Sequence, residues 1–442
     1  MRLINTATLE LAEFFGSIPR YAILSHTWED EEVSLREMTD RAPSLTAKKG
    51  YRKIVDYCRL AAQQGYSWAW VDTCCINKTS DAELSESINS MFRWYKEAAV
   101  CHVFLSDMPV GADLDEALPR CRWFTRGWTL QELIAPEMVE FFDRGWFMRG
   151  TKEDLVDELI AITGIGASVL SGRELHGLRI GTRMSWAANR ETTRPEDMAY
   201  CLLGIFDISM PMLYGEGDKA FRRLQEEIIR RSNDLSILAW GEDAVSEPPP
   251  PDGVRNRSAL LLAPSPREFA VHQSAPQILR TGRTYTDVQP EYAITNKGLR
   301  IRTRLLLLRR DQLPVDEEGS ADEGSEGEGN GPLNFLDLTE ENGSLYFLDL
   351  TEEYERIRER LSYGFHPIPG IILDKVGPSM FQRRGYSLHL LHIRKVREAT
   401  RTNIMELYIR MDGAAAKDCS NLYGLNVIHG GSRNRSRRRD SD

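Results

Sequence analysis

Features of membrane, secreted and metal-binding proteins are missing from this 442-residue sequence. No run approaches the roughly 18 consecutive apolar residues of a membrane-spanning helix. The stretch from Met1 to Thr6 has one basic residue and no long apolar core, so we expect no signal peptide. The seven cysteines have no regular spacing and include no Cys-x-x-Cys pair, which favours reduced thiols over a disulfide framework or a zinc site. We therefore expect a cytoplasmic protein without membrane contact or bound metal.

An excess of basic residues is missing as well. Lys and Arg together number 56 against 66 Asp and Glu, and the formal net charge is −10. Proteins that bind the phosphate backbone of nucleic acids need clustered Lys and Arg, so we expect no nucleic-acid partner. The basic tail from Arg433 to Arg439 is either a nuclear-import or RNA-contacting stretch or simply solvated charge near a chain end.

Short apolar runs alternate with amphipathic helical stretches in the N-terminal part of the chain. The predicted strands are Tyr21–Ser25, Ser67–Asp72, Val100–Leu105 and Met138–Phe142. The predicted helices are Lys48–Gln64, one that begins at Ser80, one that includes Glu132, and Lys152–Ile162. Ser80 and Glu83 form the capping-box pattern of a helix start. This alternation predicts an α/β fold with a mostly parallel sheet and helices on both of its faces.

Glu132 stands out in this pattern because it lies between the apolar residues of a short helix that Pro136 ends. A carboxylate so close to a buried face is either an ion-paired structural residue, with Arg122 or Arg126 as partner, or a functional one. Ligands of open α/β sheets bind beyond the carboxyl ends of the strands. We expect those ends at Ser25–Trp28, Asp72–Cys74 and Ser106–Asp107.

The later part of the chain is predicted to be helical at first and then rich in strands. Residues 183–233 are predicted to be helical, and Leu235–Trp240 is predicted to be a strand. Strands are then predicted at Tyr292–Thr295, Leu299–Leu308, Ser344–Leu350, Tyr386–Val396 and Ile404–Met411. The predicted organisation is an α/β domain (1–165), its helical extension (166–240), a β-rich region (241–430) with a disordered acidic insert (316–330), and a disordered basic tail (431–442).

Six phrases in the first 240 residues or so resemble the fungal heterokaryon-incompatibility (HET) domain. They are Tyr21–Trp28, Trp70–Lys78, Arg126–Glu132, Arg183–Ala187, Tyr200–Phe206 and Leu213–Gly217. The resemblance implies a role in non-self recognition that ends in growth arrest or programmed cell death, as in innate immunity. The HET domain is in turn similar to Toll/interleukin-1 receptor (TIR) domains, which implies a flavodoxin-like sheet.

Many TIR domains cleave NAD with a helix glutamate in a Trp-Cys-Leu-x-Glu-Leu phrase. Trp128–Leu133 matches this phrase except that threonine replaces cysteine. The resemblance therefore implies that Glu132 is the catalytic carboxylate and that NAD is a substrate, with no resident cofactor. A carboxylate can stabilise the cationic transition state of glycosidic cleavage. The expected substrate-binding residues are Ser25, His26, Trp28, Asp72 and Trp128.

Other interpretations remain open from the sequence. His26 is either a substrate contact or a hydrogen-bonded structural histidine. The tryptophans at positions 28, 68, 70 and 128 are either core residues or ring-stacking ligand contacts. Cys74 is either a nucleophile paired with His26 or a buried free cysteine. The alternative to an enzyme is a signalling module that self-assembles into a homo-oligomer or binds a regulatory protein partner.

Overall fold

A seven-stranded sheet forms the centre of the N-terminal region in the computed structural model. The model describes residues 1–41, 44–172, 175–241, 260–274 and 292–303, and beyond residue 303 only the short strands given below. The predicted acidic insert and the predicted basic tail lie outside the described residues. The strands are β1 (Arg2–Asn5), β2 (Leu11–Glu13), β3 (Ala22–His26), β4 (Trp68–Trp70), β5 (Val100–Phe104), β6 (Val139–Phe142) and β7 (Met148–Thr151).

The four central strands are parallel and lie in the order β4-β3-β5-β6. In chain order this is second, first, third, fourth, which is the order of a flavodoxin-like sheet. Antiparallel strands extend the sheet on both sides, with β1 and β2 next to β4 and β7 next to β6. The predicted α/β class is thus confirmed, and the antiparallel flanks are additions that the sequence analysis did not foresee.

Buried faces explain where the helices of this region form. The helix at residues 49–63 buries Ile54, Tyr57 and Ala61, and Gly65 follows it with a φ of +87°. The helix at 81–97 begins where the Ser80 hydroxyl accepts a hydrogen bond from the Glu83 amide. The helices are α1 (Leu35–Asp40), α2 (Lys49–Gln63), α3 (Asp72–Cys75), α4 (Asp81–Glu97), α5 (Leu114–Ala117), α6 (Thr129–Ile134) and α7 (Val156–Thr163).

The extension consists of short helices and turns. Its helices are α8 (Ala167–Leu170), α9 (Ile180–Ser185), α10 (Asp197–Tyr200), α11 (Leu203–Phe206) and α12 (Lys219–Arg231). The strand predicted at residues 235–240 is wrong, because Leu235–Leu238 forms a 3-10 helix. Asp234 caps it by accepting a hydrogen bond from the Ser236 amide at 2.9 Å, and all four residues are buried, so the apolar run fits a buried turn as well as a strand.

The C-terminal region is rich in β-structure, as predicted. After α13 (Val271–Ser274), nine strands form a second sheet, in which most neighbouring strands are antiparallel. They are β8 (Tyr292–Thr295), β9 (Gly298–Thr303), β10 (Leu306–Leu308), β11 (Leu345–Asp349), β12 (Ile368–Lys375), β13 (Met380–Arg383), β14 (His389–Leu391), β15 (Thr400–Arg401) and β16 (Met405–Ile409). Of these, β12, β13 and β15 were not predicted. In the part of the chain that the model describes, no helix has the length and apolar character needed to cross a membrane.

Candidate functional site

Helix α6 carries Glu132 and is fixed at its start by the extension. The Gly127 amide donates to the Glu191 carbonyl at 2.9 Å, and the Glu191 amide donates to the Thr125 carbonyl at 2.6 Å. A Cβ atom on Gly127 would lie 2.5 Å from the Thr192 side chain, so only glycine allows this approach. The extension therefore sets the position of the helix that holds the candidate catalytic residue.

Glu132 is buried and hydrogen-bonded to the end of strand β3. The Ser25 hydroxyl donates to Oε2 of Glu132, and Trp123 Nε1 donates to Ser25 Oγ at 2.8 Å. Arg126 contacts Thr193 at 3.3 Å instead, and Arg122 lies 3.4 Å from Glu29. The alternative in which either arginine forms an ion pair with Glu132 is therefore wrong.

The environment of Glu132 favours its neutral form. Burial raises the pKa of the carboxyl to about 8, and the nearby charge of Asp72 acts in the same direction. Hydrogen bonds from Ser25 and Tyr95 and the charge of Arg190 oppose the rise without cancelling it. At neutral pH these surroundings therefore favour the protonated form of the Glu132 carboxyl.

Asp72 lies in the same cavity and is affected in the opposite direction. Burial alone would raise its pKa, but the charge of Lys78 and the hydrogen bonds from His26 and Trp28 outweigh burial and hold that pKa well below its usual value. The contacts are 2.9 Å to His26 Nε2, 2.7 Å from Trp28 Nε1 and 3.8 Å to Lys78 Nζ. Lys78 also lies 3.6 Å from the centre of the Trp28 ring. Asp72 is thus the ionised carboxylate of the cavity.

His26 is held between a cation and an anion. Lys53 Nζ lies 2.8 Å from His26 Nδ1 and also contacts Glu32. An ammonium group can only donate, so Nδ1 accepts from it, and we assign the His26 proton to Nε2, which donates to Asp72. This tautomer ties the end of β3 to the start of α3.

These residues surround a cavity of about 330 Å³, within the roughly 300–1,000 Å³ range of ligand pockets. Five of the predicted site residues line it: His26, Trp28, Asp72, Trp128 and Glu132. The sixth, Ser25, does not line the cavity; it is fully buried and acts on Glu132. One side of the cavity is an apolar surface, formed by Ile76 and by Leu84, Ile88 and Met91 of helix α4.

Two polar walls can be distinguished around this cavity. We call His26, Trp28, Asp72 and Lys78 the strand-end wall, and Thr193, Arg194, Asp197 and Tyr214 the extension wall. Trp28 has 52% of its surface exposed and is not a core residue, whereas Trp70 is fully buried. The interpretation of the tryptophans as core residues thus holds for Trp70 and is wrong for Trp28.

The residues of the extension wall were not predicted from the sequence as part of the site. Its Asp197 accepts a hydrogen bond from the Tyr214 hydroxyl at 2.9 Å, and burial raises the pKa of Asp197. The guanidinium of Arg194 lies 4.5 Å from the centre of the Tyr214 ring. The only sequence signal was that Tyr214 belongs to one of the phrases resembling the HET domain.

Behind this wall, buried Arg190 fastens the extension to α6. Its Nη1 donates to the Arg126 carbonyl at 2.8 Å and to Thr129 Oγ1 at 2.9 Å. Burial lowers its pKa to about 10, so the guanidinium still carries its charge at neutral pH. Arg190 is therefore a fixed positive charge close enough to Glu132 to act on the pKa of its carboxyl.

The other chemical alternatives find no support in the geometry. Cys74 is fully buried and donates to the Val71 carbonyl at 3.8 Å; a hydrogen bond with Cys75 and burial raise its pKa, which disfavours the nucleophilic thiolate. The glycine loop at 215–217 binds a carboxylate of its own chain, since the amides of Gly215 and Gly217 donate to Glu196 at 2.7 and 3.0 Å. The described residues contain no group of His, Cys, Asp or Glu side chains suited to a metal ion.

Comparison with known proteins assigns part of this cavity to a family. Residues 21–110 match the family model of the heterokaryon incompatibility protein (HET), and residues 219–326 match a domain of unknown function (DUF8212). The vegetative incompatibility protein HET-E-1 of Podospora anserina is 50% identical over 234 residues, which is 50% of this chain and 17% of that protein. No solved structure matches the chain. The family match covers all four residues of the strand-end wall. Residues 21–110 of this chain are therefore a heterokaryon incompatibility (HET) domain.

Proposed function

We propose that this protein is a heterokaryon-incompatibility effector that arrests growth or kills the cell by hydrolysing NAD, with Glu132 as the catalytic carboxylate. The observation that carries the proposal is the position of Glu132: its carboxyl lines a ligand-sized cavity and has no ion-pair partner among the described residues. The name of the Podospora relative, a vegetative incompatibility protein, supports the incompatibility role, and the likeness of the Trp128–Leu133 phrase to TIR domains supports the reaction.

The reaction breaks the bond between nicotinamide and ribose, and water adds to the ribose to give ADP-ribose, nicotinamide and a proton. The leaving group departs as neutral nicotinamide, so no general acid is required. The transition state resembles an oxocarbenium ion, which a fixed carboxylate stabilises. Glu132 must be ionised for this purpose.

The environment of Glu132 links this ionisation to substrate binding. The pKa of Glu132 is raised to about 8, because the carboxyl is buried. A cationic nicotinamide ring that enters the cavity lowers this pKa, since an opposite charge nearby favours the carboxylate. The carboxyl thus loses its proton when the substrate arrives, and Ser25 keeps it oriented through the donated hydrogen bond.

The surrounding residues have separate roles in this proposal. The apolar surface of α4 receives the nicotinamide ring, and the exposed Trp28 and the half-buried Trp128 offer ring faces at the cavity. Asp72 and His26 act as positioning residues, because their hydrogen bonds hold Trp28 and the turn after β3.

The test is NAD consumption by the purified full-length chain, both dilute and concentrated with a crowding agent. We expect the wild type to convert NAD to ADP-ribose and nicotinamide, and Glu132→Ala to lose about 10²–10³-fold in rate. Glu86→Gln is the matched control, since Glu86 is exposed on α4 and does not line the cavity. Induced expression in a filamentous fungus should arrest growth with the wild type and not with Glu132→Ala.

The second candidate function is a non-enzymatic module that works by self-assembly or partner binding. Three exposed apolar side chains beside edge strand β7 favour it: Val110, Phe147 and Met148 are 51%, 61% and 50% exposed. If growth arrest persists in Glu132→Ala but is lost when Phe147 and Met148 become serine, and NAD is stable even in the concentrated wild type, this module is the better account.

A further inference from the structure

Two arginines at the cavity lack an acidic partner. Arg126 and Arg194 both line it, and neither forms an ion pair with a carboxylate anywhere in the described part of the chain. Their hydrogen-bond and ring contacts are with neutral groups, and the charge of Arg194 acts on the carboxyls of Glu196 and Asp197 only from beyond 4 Å. Arg126 Nη2 donates to Thr193 Oγ1 at 3.3 Å, and the Arg194 guanidinium lies over the Tyr214 ring.

The backbone brings the two arginines to the same side of the cavity. Arg126 and Glu191 form a short parallel bridge, and the Gly127–Glu191 hydrogen bond continues it. Arg194 follows Glu191 by three positions in the sequence. Two guanidinium groups are thus fixed on neighbouring chain segments, one half-buried and one exposed.

The acids of the cavity are already engaged by protein donors. Asp72 accepts hydrogen bonds from His26 and Trp28, and Asp197 accepts one from Tyr214. Glu132 is mainly neutral at pH 7, because burial raises its pKa to about 8. On this side of the cavity the two guanidinium groups of Arg126 and Arg194 therefore face a single carboxyl, that of Asp197, and an anionic ligand group would balance the remaining positive charge.

We propose that Arg126 and Arg194, with the Thr193 hydroxyl between them, form an anion subsite that binds the phosphate groups of a nucleotide. Guanidinium groups suit this role, because their forked N–H donors match phosphate oxygens. The apolar surface of α4 and Glu132 then face the other end of the same ligand. This subsite rests on the proposed function only where the nucleotide is taken to be NAD; phosphate binding itself requires no cleavage.

The experiment measures binding by the full-length chain through tryptophan fluorescence, because Trp28 and Trp128 line the cavity. The probes are inorganic pyrophosphate, ADP-ribose and adenosine. We expect ADP-ribose to bind more tightly than pyrophosphate, and adenosine to bind at least about tenfold more weakly than ADP-ribose, since charge-assisted hydrogen bonds to phosphate are lost. Added salt should weaken both phosphate-containing probes.

Variants identify the residues responsible. Arg194→Gln and Arg126→Gln should each weaken pyrophosphate and ADP-ribose at least about tenfold. Arg52→Gln is the control, because Arg52 lies on α2 with 86% of its side chain exposed. Thermal melting checks that each variant folds. Because Arg194 is exposed, Arg194→Gln should fold normally, and its binding still tests the subsite if Arg126→Gln has a folding defect.

Two results would contradict the subsite. In the first, both arginine variants bind pyrophosphate and ADP-ribose as tightly as the wild type does. In the second, the wild type binds neither probe. Failure of the subsite and failure of the proposed function look different. A wild type that binds ADP-ribose through both arginines but never cleaves NAD contradicts only the hydrolysis. A wild type that cleaves NAD, with an unchanged KM in both arginine variants, contradicts only the subsite.

Discussion

The two polar walls of the cavity satisfy their charges in different ways. In the strand-end wall each charged or polar group meets another of its own wall: Asp72 binds His26, Trp28 and Lys78 within 4 Å. In the extension wall Arg194 lies over the Tyr214 ring and has no carboxylate of the described residues within 4 Å, although its charge acts on Glu196 and Asp197 from farther away. The strand-end wall is thus organised before any ligand arrives, while the extension side keeps a cation available for one.

The same contrast separates the two carboxyls closest to the proposed chemistry. Asp72 is ionised because Lys78, His26 and Trp28 surround it, and Glu132 is mainly neutral because burial dominates its environment. Carboxyls whose pKa values are pushed apart in one site commonly divide their tasks. We assign structural organisation to Asp72 and the response to the substrate's charge to Glu132.

Removal of Arg190 should have the largest effect on stability. Arg190→Met leaves the Arg126 carbonyl and the Thr129 hydroxyl without their buried donor, and we expect a loss of about 2–4 kcal/mol in the free energy of unfolding. Urea denaturation measures this loss. Arg52→Met, at an exposed position, should change the free energy by less than about 0.5 kcal/mol. A similar small value for Arg190→Met would mean that the extension does not fasten α6.

The pH dependence of stability should reveal the neutral carboxyl. The pKa of Glu132 is 4.5 in the unfolded chain and about 8 in the folded protein. The stabilisation that this difference gives the folded protein is fully present below pH 4.5, and it is lost as the pH rises towards about 8. Between those limits Glu132 should lower wild-type stability by up to about 1.4 kcal/mol per pH unit. Glu132→Gln removes that slope, so the variant should become more stable than the wild type as the pH rises, whereas Glu86→Gln should follow the wild type. Parallel curves for Glu132→Gln and the wild type would contradict the raised pKa.

Asp72→Asn should have a smaller effect with the opposite pH dependence. The depressed pKa of Asp72 stabilises the folded protein above the usual aspartate value of 3.8, and this contribution is lost as the pH falls. We expect Asp72→Asn to cost about 1–2 kcal/mol at pH 7 and progressively less in acid. Denaturation at several pH values gives the difference, and a loss that grows in acid would argue against an ionised Asp72.

Ser25→Ala should have the smallest effect of the series. The variant removes the hydrogen bond that the Ser25 hydroxyl donates to Glu132, and this bond lowers the pKa of the carboxyl. The pH at which Glu132 titrates should therefore rise, by less than about one unit. The stability-against-pH curve reports the shift; a downward shift would mean that Ser25 stabilises the protonated form.

The strand-end wall could be predicted from the sequence, and the reason is local. Strands β3 and β4 are short runs rich in apolar residues with polar residues at their carboxyl ends, and parallel strands bring those ends to one edge of the sheet. His26 is the last residue of β3, and Asp72 comes two residues after the end of β4. Glu132 stood out because it interrupts an apolar helix face.

The extension wall could not be predicted in this way, because long-range contacts position it. Arg194 and Tyr214 reach the cavity only because the segment after Arg190 docks beside Gly127. Neither the helical periodicity of residues 183–233 nor their charges contain this information. The wrong strand at 235–240 has a related cause, since an apolar run buried on every side shows no period that separates a strand from a turn.

The protonation state of Glu132 is the most direct test of this account. Infrared difference spectra between the wild type and Glu132→Gln isolate the carbonyl band of a protonated carboxyl. We expect that band near neutral pH, its loss as the pH passes about 8, and its loss at constant pH when NAD is added. A Glu132 that is already ionised near neutral pH without ligand, or one that keeps its proton when NAD binds, would contradict the central claim.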